Sequence, residues 1–128
     1  MIPRRAHHVS FAVGDLERSK RFYEGALGLE PLPRPDFGIA GAWYRAGNVQ
    51  LHLIARPEGS GPGPTETAFS PIANHTAFGI DDYPGTLALL RSRGVEVLET
   101  RPGVGPQMFI RDPDGNVIEL TAVADQAT

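Results

Sequence analysis

The sequence predicts an α+β fold in which a strand, a helix and further strands are laid down twice. Three observations carry that prediction. Pro57-Glu58-Gly59-Ser60-Gly61-Pro62-Gly63-Pro64 continues neither a helix nor a central strand, and reads as a linker. On either side of it the chain echoes itself at an offset of 67. His8-Val9-Ser10-Phe11-Ala12-Val13-Gly14-Asp15 falls on His75-Thr76-Ala77-Phe78-Gly79-Ile80-Asp81-Asp82, and Gln50-Leu51-His52-Leu53 falls on Val117-Ile118-Glu119-Leu120. Each half also carries one segment with helix signals at both ends, set among short runs suited to strands. The 128 residues then make a single domain, with module one at 1–56, the linker at 57–73 and module two at 74–124.

Strands are expected over 9–13, 39–45, 49–55, 76–80, 95–98, 108–111 and 117–123, with a short further candidate at 29–32 before Pro33. The first helix is expected from Asp15 to Gly28. Asp15 caps its start, Glu17 stands four residues before Arg21 and Lys20 four before Glu24, and Gly28 closes it. The second starts at Asp82, carries Pro84 in its first turn and apolar Leu87, Leu89 and Leu90, and stops at Gly94. Asp112-Pro113-Asp114-Gly115 is a tight turn, because Pro presets one turn dihedral and Gly accepts positive φ.

Composition narrows the function. With 41% hydrophobic and 21% charged residues the chain can bury a core. Twelve basic residues against fifteen acidic ones leave a net charge of −3, with the signs interspersed, so neither nucleic acid nor an anionic membrane is an expected partner. No apolar run approaches the roughly 20 residues of a membrane span, and Met1-Ile2-Pro3-Arg4-Arg5 leads into His7-His8 rather than an apolar stretch. The expected location is cytoplasmic. The absence of Cys removes disulfides, thiolate metal sites and a Cys nucleophile, so any metal is held by nitrogen and oxygen.

Sorting strand residues by parity separates two faces. One holds Val9, Phe11, Val13, Val49, Leu51, Leu53, Thr76, Phe78, Ile80, Ile118, Leu120 and Ala122, and suits packing under the helices. The other is small and polar: His8, Ser10, Ala12, Gln50, His52, Ile54, His75, Ala77, Gly79, Val117, Glu119 and Thr121. Such a face meets water or curls around a ligand. His8, His52, His75 and Glu119 occupy equivalent positions of the two repeats on this face. A lone strand His is ordinarily a surface or hydrogen-bonded residue. Four such positions related by offset and parity instead point to a nitrogen and oxygen site for Zn, Fe(II), Mn, Co or Ni. His7 has the other parity and its counterpart is Asn74, so it is not an expected ligand. Trp43, Gln107, Phe109 and Arg111 lie on neighbouring strands, where they line a substrate cavity or simply pack; Arg56, at a strand end, meets an anionic substrate or faces solvent.

His8-Val9-Ser10-Phe11-Ala12-Val13 with Asp15 and Phe22-Tyr23, Leu27-Gly28-Leu29, Asn74-His75-Thr76-Ala77-Phe78, and the run from Phe109 through Asp112-Pro113-Asp114-Gly115-Asn116 to Glu119-Leu120 resemble the vicinal oxygen chelate superfamily. That superfamily contains glyoxalases, fosfomycin- and bleomycin-resistance proteins and extradiol dioxygenases. The resemblance spans nearly the whole chain. It implies two βαβββ modules forming a cupped mixed sheet around one divalent metal ion, with the helices on the outer face, and often a homodimer. It also implies His8, His75 and Glu119 as ligands, with His52 where glyoxalases place a carboxylate or Gln. Glyoxalases similar to this chain usually recognise glutathione with an Arg and an Asn where Ala12 and Arg56 stand. Fosfomycin-resistance thiol transferases usually have Tyr, Lys and Ser where Phe109, Glu99 and Gly103 stand, leaving only the Ser10 hydroxyl in common.

The reading is a glyoxalase-like lyase or isomerase that chelates adjacent oxygens of a small molecule and stabilises an oxyanion or enediolate, with Glu119 as catalytic base. The alternatives are a metal-dependent dioxygenase or thiol transferase, and a small-molecule binding and resistance protein without chemistry.

Overall fold

The computed structural model describes residues 1–57, 69 and 74–123. The chain divides into two compact units, Met1–Thr65 and Glu66–Thr128. Of the expected linker, only Pro57 and Phe69 are among the described residues, and Ala124, the last residue of module two, lies outside them.

The first unit runs β1 (His8–Val13), α1 (Leu16–Lys20), a π-helical segment (Arg21–Ala26), β2 (Glu30–Leu32), β3 (Gly41–Ala46) and β4 (Val49–Ala55). Its sheet has the order β1-β4-β3-β2, with β1 parallel to β4 and the other pairs antiparallel. The second unit runs β5 (His75–Ile80), α2 (Tyr83–Ser92), β6 (Leu98–Glu99), β7 (Gln107–Arg111) and β8 (Val117–Ala122). Its order, β5-β8-β7-β6, repeats the same mixed arrangement, with β5 parallel to β8. One topology is therefore built twice, and the α+β class holds.

The apolar parity makes the cores. In unit one Val13, Leu51, Leu53, Tyr23 and Tyr44 are fully buried. The Tyr23 ring lies 6.3 Å from both Phe11 and Tyr44, which sets the π-helical segment on that face of the sheet. The Tyr44 hydroxyl donates to Glu24 Oε2 at 2.7 Å, and burial together with this bond raises its pKa well above the ordinary tyrosine value. In unit two Met108, Ile110 and Ile118 are fully buried and Leu90 of α2 nearly so. There Tyr83 donates to Glu99 Oε2 at 2.9 Å; burial, then this bond, push its pKa up to about 12. Glu99 also receives Gly103 N–H at 2.8 Å and Arg91 Nη2 at 3.0 Å, so its carboxyl titrates below the usual range, chiefly through the Gly103 bond.

Both helix starts form as expected: Asp15 accepts from Arg18 N–H at 3.1 Å and Asp82 from Gly85 N–H at 3.0 Å. Four expectations need correction. The first helix is not α throughout; it widens after Lys20, and Leu27 N–H bonds to Phe22 O, five residues back. Lys20 pairs with Glu17 at 3.7 Å rather than with Glu24, whose carboxylate takes the Tyr44 hydroxyl. The strand expected at 95–98 is only Leu98–Glu99, because Val95 N–H still bonds to Leu90 O to finish the α2 terminus around Gly94 at φ 75°. The strand expected from residue 39 begins at Gly41, after the turn in which Asp36 accepts from Gly38 N–H at 2.8 Å.

Candidate metal centre

In each unit the parallel strand pair sets two candidate ligands on one face, displaced by two residues along the sheet. His8 stands opposite Gln50 while Ser10 stands opposite His52, so the two imidazoles meet on the diagonal. In the same way His75 stands opposite Val117 and Ala77 opposite Glu119. Diagonal neighbours on one sheet face are within reach of long and aromatic side chains, and both pairs make contact.

The unit-one pair is a stack. His52 is 8% exposed and lies between the His8 ring, 4.1 Å away at 12°, and the Trp43 ring, 4.4 Å away at 10°. Trp43 reaches it because β3 sets it opposite His52. His52 Nε2 donates to Gln50 Oε1 at 2.8 Å, and His8 Nδ1 meets His7 Nδ1 at 2.9 Å. Burial lowers the His52 pKa first, and the charges of His8, His7 and Arg34 lower it further.

The unit-two pair is a hydrogen bond. His75 Nε2 lies 3.0 Å from Glu119 Oε1, and Gln107 Nε2 donates to Glu119 Oε2 at 3.3 Å. Phe109 stands edge-on to His75 at 5.3 Å. Here the expectation of a small, polar second face fails. Phe109 and Val117 are almost completely buried with Phe69 and Leu98 packed on them, so Glu119, itself 8% exposed, shares its face with an apolar cluster.

Each pair offers nitrogen or oxygen donors of the kind a first-row divalent ion takes, and a glutamine buttresses one member of each. Among the described residues, neither unit by itself gathers three His, Asp or Glu side chains able to hold a metal ion.

The remaining candidates divide. Gln50, Gln107 and Trp43 touch the candidate ligands directly. Ser10 is exposed beside His52 in the register. Arg111 lies 3.5 Å from Glu96 and 4.6 Å over the Phe69 ring, so its charge is engaged within unit two. Arg56 is half-buried at the end of β4, its N–H bonded to Val13 O at 2.9 Å. His7, not an expected ligand, precedes β1 and meets His8 through its ring nitrogen. Sequence reasoning passed over one residue that reaches this face. Arg34 lies before β3 with its guanidinium against Gly41, on the Trp43 face. Its signal was present: Arg34-Pro35 recurs as Arg101-Pro102 at the same offset of 67.

Duplicated mixed sheets with paired His and Glu donors define a class of small-molecule proteins, and comparison places the chain within it. A family model described as Glyoxalase/Bleomycin resistance protein/Dioxygenase superfamily matches residues 5–120, and the chain belongs to that superfamily. It is 30% identical over 119 residues to Glyoxylase I 4 of Arabidopsis thaliana, covering 89% of this chain and 68% of that protein. It is 28% identical over 136 residues to the mitochondrial methylmalonyl-CoA epimerase of Bos taurus, covering 91% and 73%. Among solved structures, an antibiotic binding protein from Streptomyces sp. CB03234 superposes with a TM-score of 0.70 at 26% identity, covering 97% of this chain and 99% of that one. Among the described residues no helix is long and apolar enough to cross a membrane.

Proposed function

We propose that the chain is a divalent-metal enzyme of the glyoxalase type, a lyase or isomerase acting on a small molecule with oxygens on adjacent carbons. One observation carries this reading: each unit sets two donor side chains in contact at the same diagonal of its parallel strand pair, His8 with His52 and His75 with Glu119. These four residues would hold the ion, whether Zn, Ni, Mn, Co or Fe(II). A bound divalent ion supplies Lewis acidity to adjacent substrate oxygens.

The chain's own residues supply the proton transfer. Glu119 is the one carboxylate of the set, and its task is to take a proton from the carbon beside a carbonyl. Its Oε1 is held at 3.0 Å by His75, while among the described residues Oε2 takes the longer 3.3 Å bond from Gln107, so Oε2 is the oxygen readier to accept. The likeness to a protein named as an epimerase supports this role, since epimerisation beside a carbonyl needs such a base. The likeness to an antibiotic binding protein supports a second reading, capture of a small molecule without chemistry. A homodimer and a cytoplasmic location complete the proposal.

Elemental analysis of the untagged protein, with His8→Ala and Glu119→Ala beside it, tests the reading. About one transition metal per chain, lost in both variants, is the expected result. No metal in the parent protein, even after addition of Zn, Mn, Ni or Fe(II), overturns the metal reading and leaves small-molecule capture in front. Oxygen uptake or consumption of a thiol cosubstrate would instead mark a dioxygenase or a thiol transferase.

A further inference from the structure

A groove of about 480 Å³ in unit one is bounded by Leu16, Arg34 and the segment that leads into β3, ending at Gly41. Arg34 is its one basic side chain. The guanidinium carbon sits 5.0 Å over the Phe37 ring. Its Nε is buried without an acceptor. Asp36, the nearest acid in sequence, turns one oxygen to Gly38 N–H at 2.8 Å instead of pairing with Arg34.

The backbone makes room for this cation. A Cβ at Gly41 would collide with the Leu53 carbonyl oxygen and would lie 2.8 Å from the guanidinium carbon, so only glycine lets Arg34 lie against the sheet there. Through Phe37 the Arg34 guanidinium is connected to the candidate metal face. Phe37 lies 6.0 Å from Trp43, Trp43 stacks on His52, and His52 stacks on His8. A row of rings therefore runs from the candidate ligands to a guanidinium whose Nε has no acceptor among the described residues. A buried donor without an acceptor is costly, and an arginine held flat presents a fork that matches two oxygens of one anion.

We propose that Arg34 is the anion-recognition residue of this protein, taking a carboxylate or phosphate group of its small-molecule ligand in the groove beside Gly41. This deepens the function proposed above by naming the charge of the ligand, and rests on that reading only in treating the anion as part of the substrate. Binding at Arg34 uses no metal, so the two stand or fall separately.

Trp43 is the only tryptophan in the chain and adjoins Phe37, so its fluorescence reports on the groove. The test titrates chelator-treated, metal-free protein with benzoate, phenyl phosphate and uncharged benzamide. The expected result is a saturable change with one or both anions, at least tenfold tighter than with benzamide. Benzoate favoured over phenyl phosphate identifies a carboxylate, and the reverse a phosphate. Arg34→Gln should weaken the anion at least tenfold, Arg34→Lys less, because charge is kept and the fork lost, and Asp36→Asn should tighten it by removing a nearby negative charge. Thermal unfolding of each variant checks the fold, and Arg34→Lys carries the test if Arg34→Gln does not fold. Equal affinity for benzamide, an unchanged Kd in the Arg34 variants, or no saturable change with either anion overturns the proposal. Metal binding in the elemental assay with failure here removes only the anion site; success here without metal leaves the anion site standing alone.

Discussion

The two units place their candidate ligands identically and equip them differently. In both, a parallel strand pair brings two side chains together on the diagonal, so backbone register alone fixes where they meet. In unit two the pair is complementary, an imidazole hydrogen-bonded to a carboxylate at 3.0 Å. In unit one it is alike, two imidazoles stacked at 4.1 Å, which turn to His7 and Gln50 for their hydrogen bonds. Two stacked imidazoles cannot both carry a proton cheaply, and neither offers the other a charge. The comparison shows that duplication conserves position while the residue at each position sets the chemistry. Unit two holds the one candidate base.

The sharpest way to break the comparison is to make unit two as neutral as unit one. Glu119→Gln keeps an oxygen for His75 and removes the charge, so fold and secondary structure should persist. Turnover of the metal-loaded protein should fall by about 10² to 10⁴, the contribution of a positioned general base. Deuterium wash-in beside the substrate carbonyl should fall with it. Full turnover with metal bound would remove the base role and leave Glu119 as a ligand alone.

How much of this was legible in the sequence follows from the same register. The offset of 67 and strand parity bring His8 to His52 and His75 to Glu119, because both rules are backbone geometry and survive substitution. What sequence did not show depends on packing in three dimensions. Nothing local says that Trp43 lies flat on His52, that Phe109 and Val117 bury an apolar cluster beside Glu119, or that Glu24 leaves Lys20 for Tyr44. Arg34 escaped for another reason: it lies outside any strand, where parity assigns no face, although its Arg-Pro pair repeats at the common offset.

A smaller effect sharpens the comparison in the cores. Each unit anchors a buried tyrosine hydroxyl on a glutamate, Tyr44 on Glu24 and Tyr83 on Glu99. Tyr83 has a second acceptor, Gln107 O at 3.3 Å, whereas Tyr44 is fully buried with Glu24 as its acceptor. Glu24→Ala should therefore cost about 1–3 kcal/mol by orphaning a buried donor, read as a lower urea midpoint. Adding Tyr44→Phe should recover part of that loss, since the orphan goes with the hydroxyl. In unit two, adding Tyr83→Phe to Glu99→Ala should recover little. Equal recovery in both units would mean that Gln107 O does not serve as the second acceptor.

The smallest effect lies inside the imidazole stack and is read by NMR on metal-free protein. Burial is the main cause that lowers the His52 pKa and the neighbouring His8 the next, so His52 should titrate below its ordinary value of about 6.5. As pH falls, the unfolded chain takes its proton at about 6.5 while folded His52 resists until a lower pH, so the contribution of this group is complete above 6.5 and is lost below it. Removing the like-charged neighbour with His8→Ala should move the His52 titration upward yet leave it below 6.5, because Trp43 still covers one face of the ring at 4.4 Å. Acid sensitivity should then shrink in the variant. A downward move, or titration at the ordinary value in the parent, would show that the rings do not stack in solution and that unit one does not pre-form its pair of candidate ligands.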